Sequence, residues 1–223
     1  AFLRYSGIMT RKDGNSIGIP VSVITDCDIR PYDVDSVTNT KKLNEKTTES
    51  ANAEKAKNKK YTNGSVCGFT SPRWTLEYCI AMSGISEDFH KAVHYGKKIL
   101  NAKEYISLTE EKIAEANQSV EEETRQWNDL PQWEKAYNIY NLMLNNDGRS
   151  GLKAIVAQCL ASVLRWKISE IPKDFTQEKM FDLDLYGLKT DERKKSELKT
   201  LIEQDSFLRY IVKAIKYAAG EAV

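Results

Sequence analysis

Asp26 and Asp28 stand one residue apart, directly after the apolar run 17–26 (IGIPVSVITD). Two carboxylates at that spacing suit a hard divalent cation. Mg²⁺ is typically held by one or two carboxylates together with water and substrate phosphate. An isolated D-x-D serves equally to end a strand and start a turn. The second such pair, Asp182 and Asp184, lies in a loop-like FDLDLYG stretch without a strand before it, and reads as structural. Glu77 repeats the arrangement of a strand followed by an acid. Alone it is accounted for by the helix dipole, worth about 0.3–1 kcal/mol. Beside Asp26 and Asp28 it becomes a third oxygen ligand. Lys153 follows Gly151 in the first turn of a helix. A cation there opposes the dipole. Positions that break a local rule are candidates for function, here contact with a phosphate oxygen. His90 and His94 have the i, i+4 spacing of a zinc-binding helix, but Lys91 stands where H-E-x-x-H needs Glu. With no third ligand evident in the sequence, they read as ordinary surface or edge histidines.

These groups need elements to position them. Pro20 can open a strand, and Val21, Val23 and Ile24 are β-branched and apolar. So continuous an apolar run predicts a strand covered on both faces, as in a parallel α/β sheet. Such sheets place ligands at their carboxyl edge, where Asp26 and Asp28 fall. A second strand is expected at 65–70 (SVCGFT). Between the two, residues 38–60 carry seven Lys against three Glu. This reads as a solvated helix or loop and as a source of DNA affinity. Ser71-Pro72 is a start signal for a helix running through 75–82. Further helices are expected at 86–100, 108–127, from Pro131 to 144, at 152–168 and at 206–219, with a turn at 145–151 (NNDGRSG). Residues 103–134 hold nine acids against three bases and few apolar positions, which suggests an arm or hairpin.

Composition sets the outer limits. The chain has 223 residues, 41% of them apolar and 29% charged, enough to bury a core. No run approaches the ~20 apolar residues of a membrane helix, so no membrane partner is expected. The four cysteines form no C-x-x-C pair, which points to a reducing, cytoplasmic setting. A net charge of +1 excludes a polyanion binder that works by bulk charge alone.

Four segments in order resemble the Toprim nuclease domain of the OLD (overcoming lysogenization defect) family of ATP-dependent endonucleases. They are AFLRY at 1–5, IPVSVITDCDIRP at 19–31, FTSPRWTLEYCIA at 69–81 and GLKAIVAQCLASVL at 151–164; the closing FLRYIVKAIKYA is also similar. The resemblance implies an α/β fold with a mostly parallel, Toprim-like sheet flanked by helices. It divides the chain into an α/β core at 1–100, a helical insertion or arm at 101–147, and C-terminal helices at 148–223 that complete the domain. It implies cleavage of DNA with Mg²⁺ or Mn²⁺, by two metals. Asp26 and Asp28 match the D-x-D ligands, Glu77 the T-L-E acid and Lys153 the catalytic lysine. Ser71 and Thr75 match polar positions beside the metals. The family's glutamate-bearing first strand and its phosphate-binding loop have no counterpart here. The chain is therefore expected to be a carboxy-terminal part of a longer protein, with little or no nuclease activity alone and cleavage expected of the longer protein. ATP would enter only through the ATPase portion, which would be a partner within the same protein. A homodimer and a helicase-like partner are further expectations. Two alternatives stay open: a D-x-D phosphatase-like phosphoryl-transfer enzyme, and a non-catalytic module for dimerisation or DNA docking.

Overall fold

The computed structural model describes residues 18–101, 108–144 and 151–222. The segment 1–5 and residues 145–150 of the expected turn lie outside them. The described residues form four strands and eight α-helices. They group into two compact units: those up to Cys79 together with those from Ile202, and those from Ile80 to Leu201.

The first unit is built on two parallel strands, β1 (Val21–Thr25) and β4 (Val66–Thr70), in register from Val21↔Val66 to Thr25↔Thr70. Parallel strands need a crossover. Here it contains an antiparallel hairpin, β2 (Tyr32–Val34) with β3 (Lys41–Leu43), and then α1 (Thr47–Tyr61). β3 falls within the stretch 38–60 expected to be a solvated helix or loop, and the hairpin is not among the expected elements. Asp35 makes it, accepting the backbone N–H groups of Val37 and Thr38 in the turn. The stretch expected to be a solvated helix or loop is a short strand followed by a helix that buries only Ser50. α1 lies against β4, and a Cβ on Gly68 would come 2.9 Å from Tyr61 Cβ and 3.1 Å from the Asn58 carbonyl. Only a glycine lets helix and strand approach so closely.

The mixed α/β class is as expected, and the β1–β4 pairing is parallel. The expected mostly parallel sheet extends, among the described residues, to these two strands; the other pair is antiparallel. β1 is also less covered than its composition suggested. Its residues are half-buried and Ile24 is exposed, because only β4 pairs with it among the described residues. The last helix, α8 (Arg209–Ala218), packs its Tyr210, Ile211 and Ala214 against Phe69 and Cys67 of β4. Ser22 Oγ of β1 donates to the Ala214 carbonyl on the same helix.

The second unit is helical. Its centre is α3 (Ser86–Asn101), which packs against α4 (Glu110–Gln126), α5 (Gln132–Leu144) and α6 (Leu152–Ile168). α6 buries Leu152, Val156, Cys159, Leu160 and Val163, the stripe expected from its periodicity. α4 is not an arm. Ile113, Ala116 and Val120 are buried against α3, and of the acids most are exposed while Glu123 turns toward α3. The helix α7 (Glu192–Gln204) follows, and the boundary between units falls within it.

Candidate functional site

The β1–β4 register puts the ends of both strands side by side, so the residues after Thr25 and Thr70 share one edge. The chain is pinned there by its backbone. The Ser71 amide donates to the Thr25 carbonyl at 2.9 Å, and the Cys27 amide donates to Ser71 Oγ at 2.8 Å. Ser71 Oγ donates in turn to the Arg73 carbonyl at 2.6 Å. Asp28 sits in the left-handed region at φ 67°, a conformation aspartate tolerates, and its amide donates to the Trp74 carbonyl at 2.8 Å. This sharp turn sends the Asp28 side chain outward, where it is 70% exposed.

The helix α2 (Leu76–Met82) begins beside this turn, later than the Ser71-Pro72 signal suggested. Ser71 cannot cap it because its hydroxyl is committed to Cys27 and Arg73. Thr75 caps instead, its Oγ1 accepting the Tyr78 amide at 3.2 Å. Asp26 supplies a second cap from the strand end: its Oδ1 accepts the Leu76 amide at 2.9 Å. Asp26 therefore ties β1 to the start of α2, the helix that carries Glu77 in its first turn.

Lys57 of α1 brings a cation to the same place. Its Nζ donates to the Asp26 carbonyl at 2.7 Å and forms an ion pair with Asp28 Oδ2. The Tyr210 hydroxyl is buried, with no hydrogen-bond partner among the described residues. Burial pushes its pKa well up, and the charges of Cys79, Asp26 and Glu77 push it further. Tyr210 also lines a cleft of about 280 Å³ with Thr70, Arg209 and Lys213. The Thr70 hydroxyl likewise lacks a partner among the described residues.

Asp26, Asp28, Glu77, Ser71 and Thr75 thus all belong to the first unit, around the carboxyl edge of β1 and β4. The hydroxyls of Ser71 and Thr75 are engaged with backbone groups, so they hold the edge in shape. The carboxylates of Asp26, Asp28 and Glu77 do not converge as one close triplet. Lys153 belongs to the second unit. It is exposed in the first turn of α6, with Nζ 5.7 Å from the centroid of the Tyr140 ring.

The one close triplet of His, Cys, Asp and Glu ligand atoms among the described residues lies elsewhere. It consists of His90 and His94 on α3 and Glu123 on α4. The histidines are not surface residues: their side chains are 3% and 10% exposed. Glu123 Oε2 stands 2.7 Å from His90 Nε2 and 2.8 Å from His94 Nε2. Burial holds the His90 ring below the ordinary imidazole range, opposed by its bond to Glu123. The i, i+4 spacing marked the two rings. Their partner comes from another helix, in a run of three glutamates that gives no sign of which one turns inward.

Comparison with family models, with curated proteins and with solved structures gives no match.

Proposed function

We propose that this chain is a Toprim-type nuclease domain of the OLD kind, hydrolysing DNA phosphodiesters with Mg²⁺ or Mn²⁺. The supporting observation is the shared edge of β1 and β4. Asp26 and Asp28 follow one strand there, and Glu77 opens the helix after the other. Nearby, the buried Tyr210 hydroxyl has no partner among the described residues and lines a cleft that carries Arg209, Lys213 and Glu54.

The oxygen atoms offered at this edge are of the kind a hard cation takes, although the three carboxylates do not meet as one close triplet. The Asp26 carbonyl and Asp28 Oδ2 already share one positive charge, the Lys57 ammonium. Asp26, Asp28 and Glu77 would be the ligands, a set of hard oxygens suited to Mg²⁺. When bound, such an ion supplies Lewis acidity to the phosphodiester and lowers the pKa of its water. Lys57 ties the Asp26 backbone to the Asp28 carboxylate and balances the charge of Asp28. Ser71 and Thr75 fix the backbone that carries the acids. Arg209 and Lys213, partly offset by Glu54, would offer positive charge to a phosphate entering the cleft.

The test is nicking of supercoiled DNA in Mg²⁺ or Mn²⁺. Asp28→Ala should abolish metal-dependent cleavage with the fold unchanged, because the exposed Asp28 side chain contributes little packing. Asp182→Ala is the matched control and should cut normally. Cleavage by Asp28→Ala at the wild-type rate would remove the assignment. Hydrolysis of a phosphomonoester in place of DNA would favour the phosphatase-like alternative.

A further inference from the structure

The second unit carries a cluster that the nuclease reading does not use. His90 and His94 lie one turn apart on α3, so their rings leave the same face of the helix. Glu123 reaches them from α4, and one of its oxygens meets both Nε2 atoms. The three ligand atoms lie within 4.8 Å of one another. The indole of Trp127 stacks on His90, with centroids 5.2 Å apart and planes 22° apart, which holds that ring in its orientation.

A carboxylate accepting two imidazole N–H groups would explain the contacts without an ion. Three features point further. The donors converge on one point and do not run on as a chain of hydrogen bonds. Two imidazole nitrogens and one carboxylate oxygen are a donor set that holds zinc with a fourth position left to water or substrate. Finally, His90 lines an open cleft of about 1000 Å³ together with Trp127, Arg125, Lys135 and Trp166, so an ion and its fourth ligand have a route from solvent. A tetrahedral ion with bonds of about 2.0–2.1 Å needs its ligand atoms about 3.3 Å apart. The present separations of 2.7 and 2.8 Å must therefore open by roughly half an ångström as each neutral ring carries its proton on Nδ1 and frees Nε2 for the ion.

We propose that His90, His94 and Glu123 form a three-ligand site for a divalent transition-metal ion of the zinc type, its remaining position served from the cleft. The site is separate from the oxygen ligands at the strand edge, and its test reads binding and not cleavage. Metal-free full-length chain is titrated with Zn²⁺ and with Co²⁺, followed by calorimetry, Co²⁺ absorption and imidazole NMR. The chain has only two histidines, so every ring resonance belongs to this cluster. One ion per chain, a tetrahedral Co²⁺ spectrum without thiolate charge transfer, and movement of both ring resonances are the expected results. Glu123→Gln and His94→Gln should each weaken binding by roughly 100-fold or more. The proposal is overturned by no uptake at micromolar metal, by uptake unchanged in the His90→Gln/His94→Gln double variant, or by thiolate ligation of Co²⁺. Should the variants fail to fold, the wild-type NMR decides: ring resonances unmoved by Zn²⁺ overturn it.

Discussion

Asp26 and Asp28 look alike in the sequence but do different work in the structure. Asp28 is exposed and touches Lys57, whereas Asp26 caps a helix across a long sequence distance. A carboxylate that accepts an orphan amide at a helix start is worth about 1–2 kcal/mol. Asp26→Ala should therefore lower stability by about that amount in denaturant unfolding, while Asp26→Asn, which keeps an acceptor, should recover most of it. Loss of cleavage in Asp26→Ala alone would then mix two causes, and the Asp28 variant separates them. If Asp26→Ala unfolds at the wild-type denaturant midpoint, the cap contributes nothing. The acids themselves were legible because each follows a strand pattern. The cap was not: Ser71-Pro72 carries the stronger local signal, and only the fold shows that Cys27 has claimed the Ser71 hydroxyl. Glu123 was hidden for a similar reason, since a ligand on a second helix leaves no spacing to read.

Helices α3 and α6 approach each other closely at Gly96. A Cβ there would lie 2.8 Å from Val156 Cγ2 and 3.4 Å from Leu152 Cδ1. Glycine inside a helix costs about 1 kcal/mol relative to alanine, so on propensity alone Gly96→Ala should stabilise. Overpacking a well-filled contact costs about 1–3 kcal/mol, and a β-branched valine has little freedom to turn aside. Gly96→Ala should therefore be net destabilising by about 1 kcal/mol. Paired with Val156→Ala, its own cost should shrink or reverse. Additive effects in that double-mutant cycle would refute the close contact as the cause. The stripe of α6 that makes this contact was legible from its 3.6-residue period. α4 was misjudged because its density of glutamate outweighed Ile113, Ala116 and Val120, three positions that are enough to seat one face.

At the scale of the whole molecule, 33 basic and 32 acidic side chains nearly cancel, so any hold on DNA must come from local excess. The face of α1 with exposed Lys55, Lys59 and Lys60 is such a place, whereas Lys57 is half-buried and engaged with the aspartates. Replacing the three exposed lysines by Gln should weaken DNA binding and flatten the plot of log affinity against log salt by roughly 0.9 for each lysine that meets a phosphate. Lys57→Gln should instead disturb the strand edge. An unchanged salt slope in the triple variant would leave α1 as a packing helix only. Among the described residues no helix is long and apolar enough to cross a membrane.

The first unit is discontinuous in the chain: β1 and β4 come early, while α8, which covers Phe69 and accepts the Ser22 hydrogen bond, comes near the end. During synthesis the strand pair emerges first and waits, with Phe69 uncovered, while the residues of the helical unit are added. At about 5–20 residues per second that wait is on the order of ten seconds. The helical unit has all its own residues before α8 exists, so it can complete its fold first. The strand edge that carries Asp26, Asp28 and Glu77 gains the Tyr210 side of its surroundings only when α8 leaves the ribosome. A nascent or truncated chain that stops short of Arg209 therefore has the acids but not the closed edge around them.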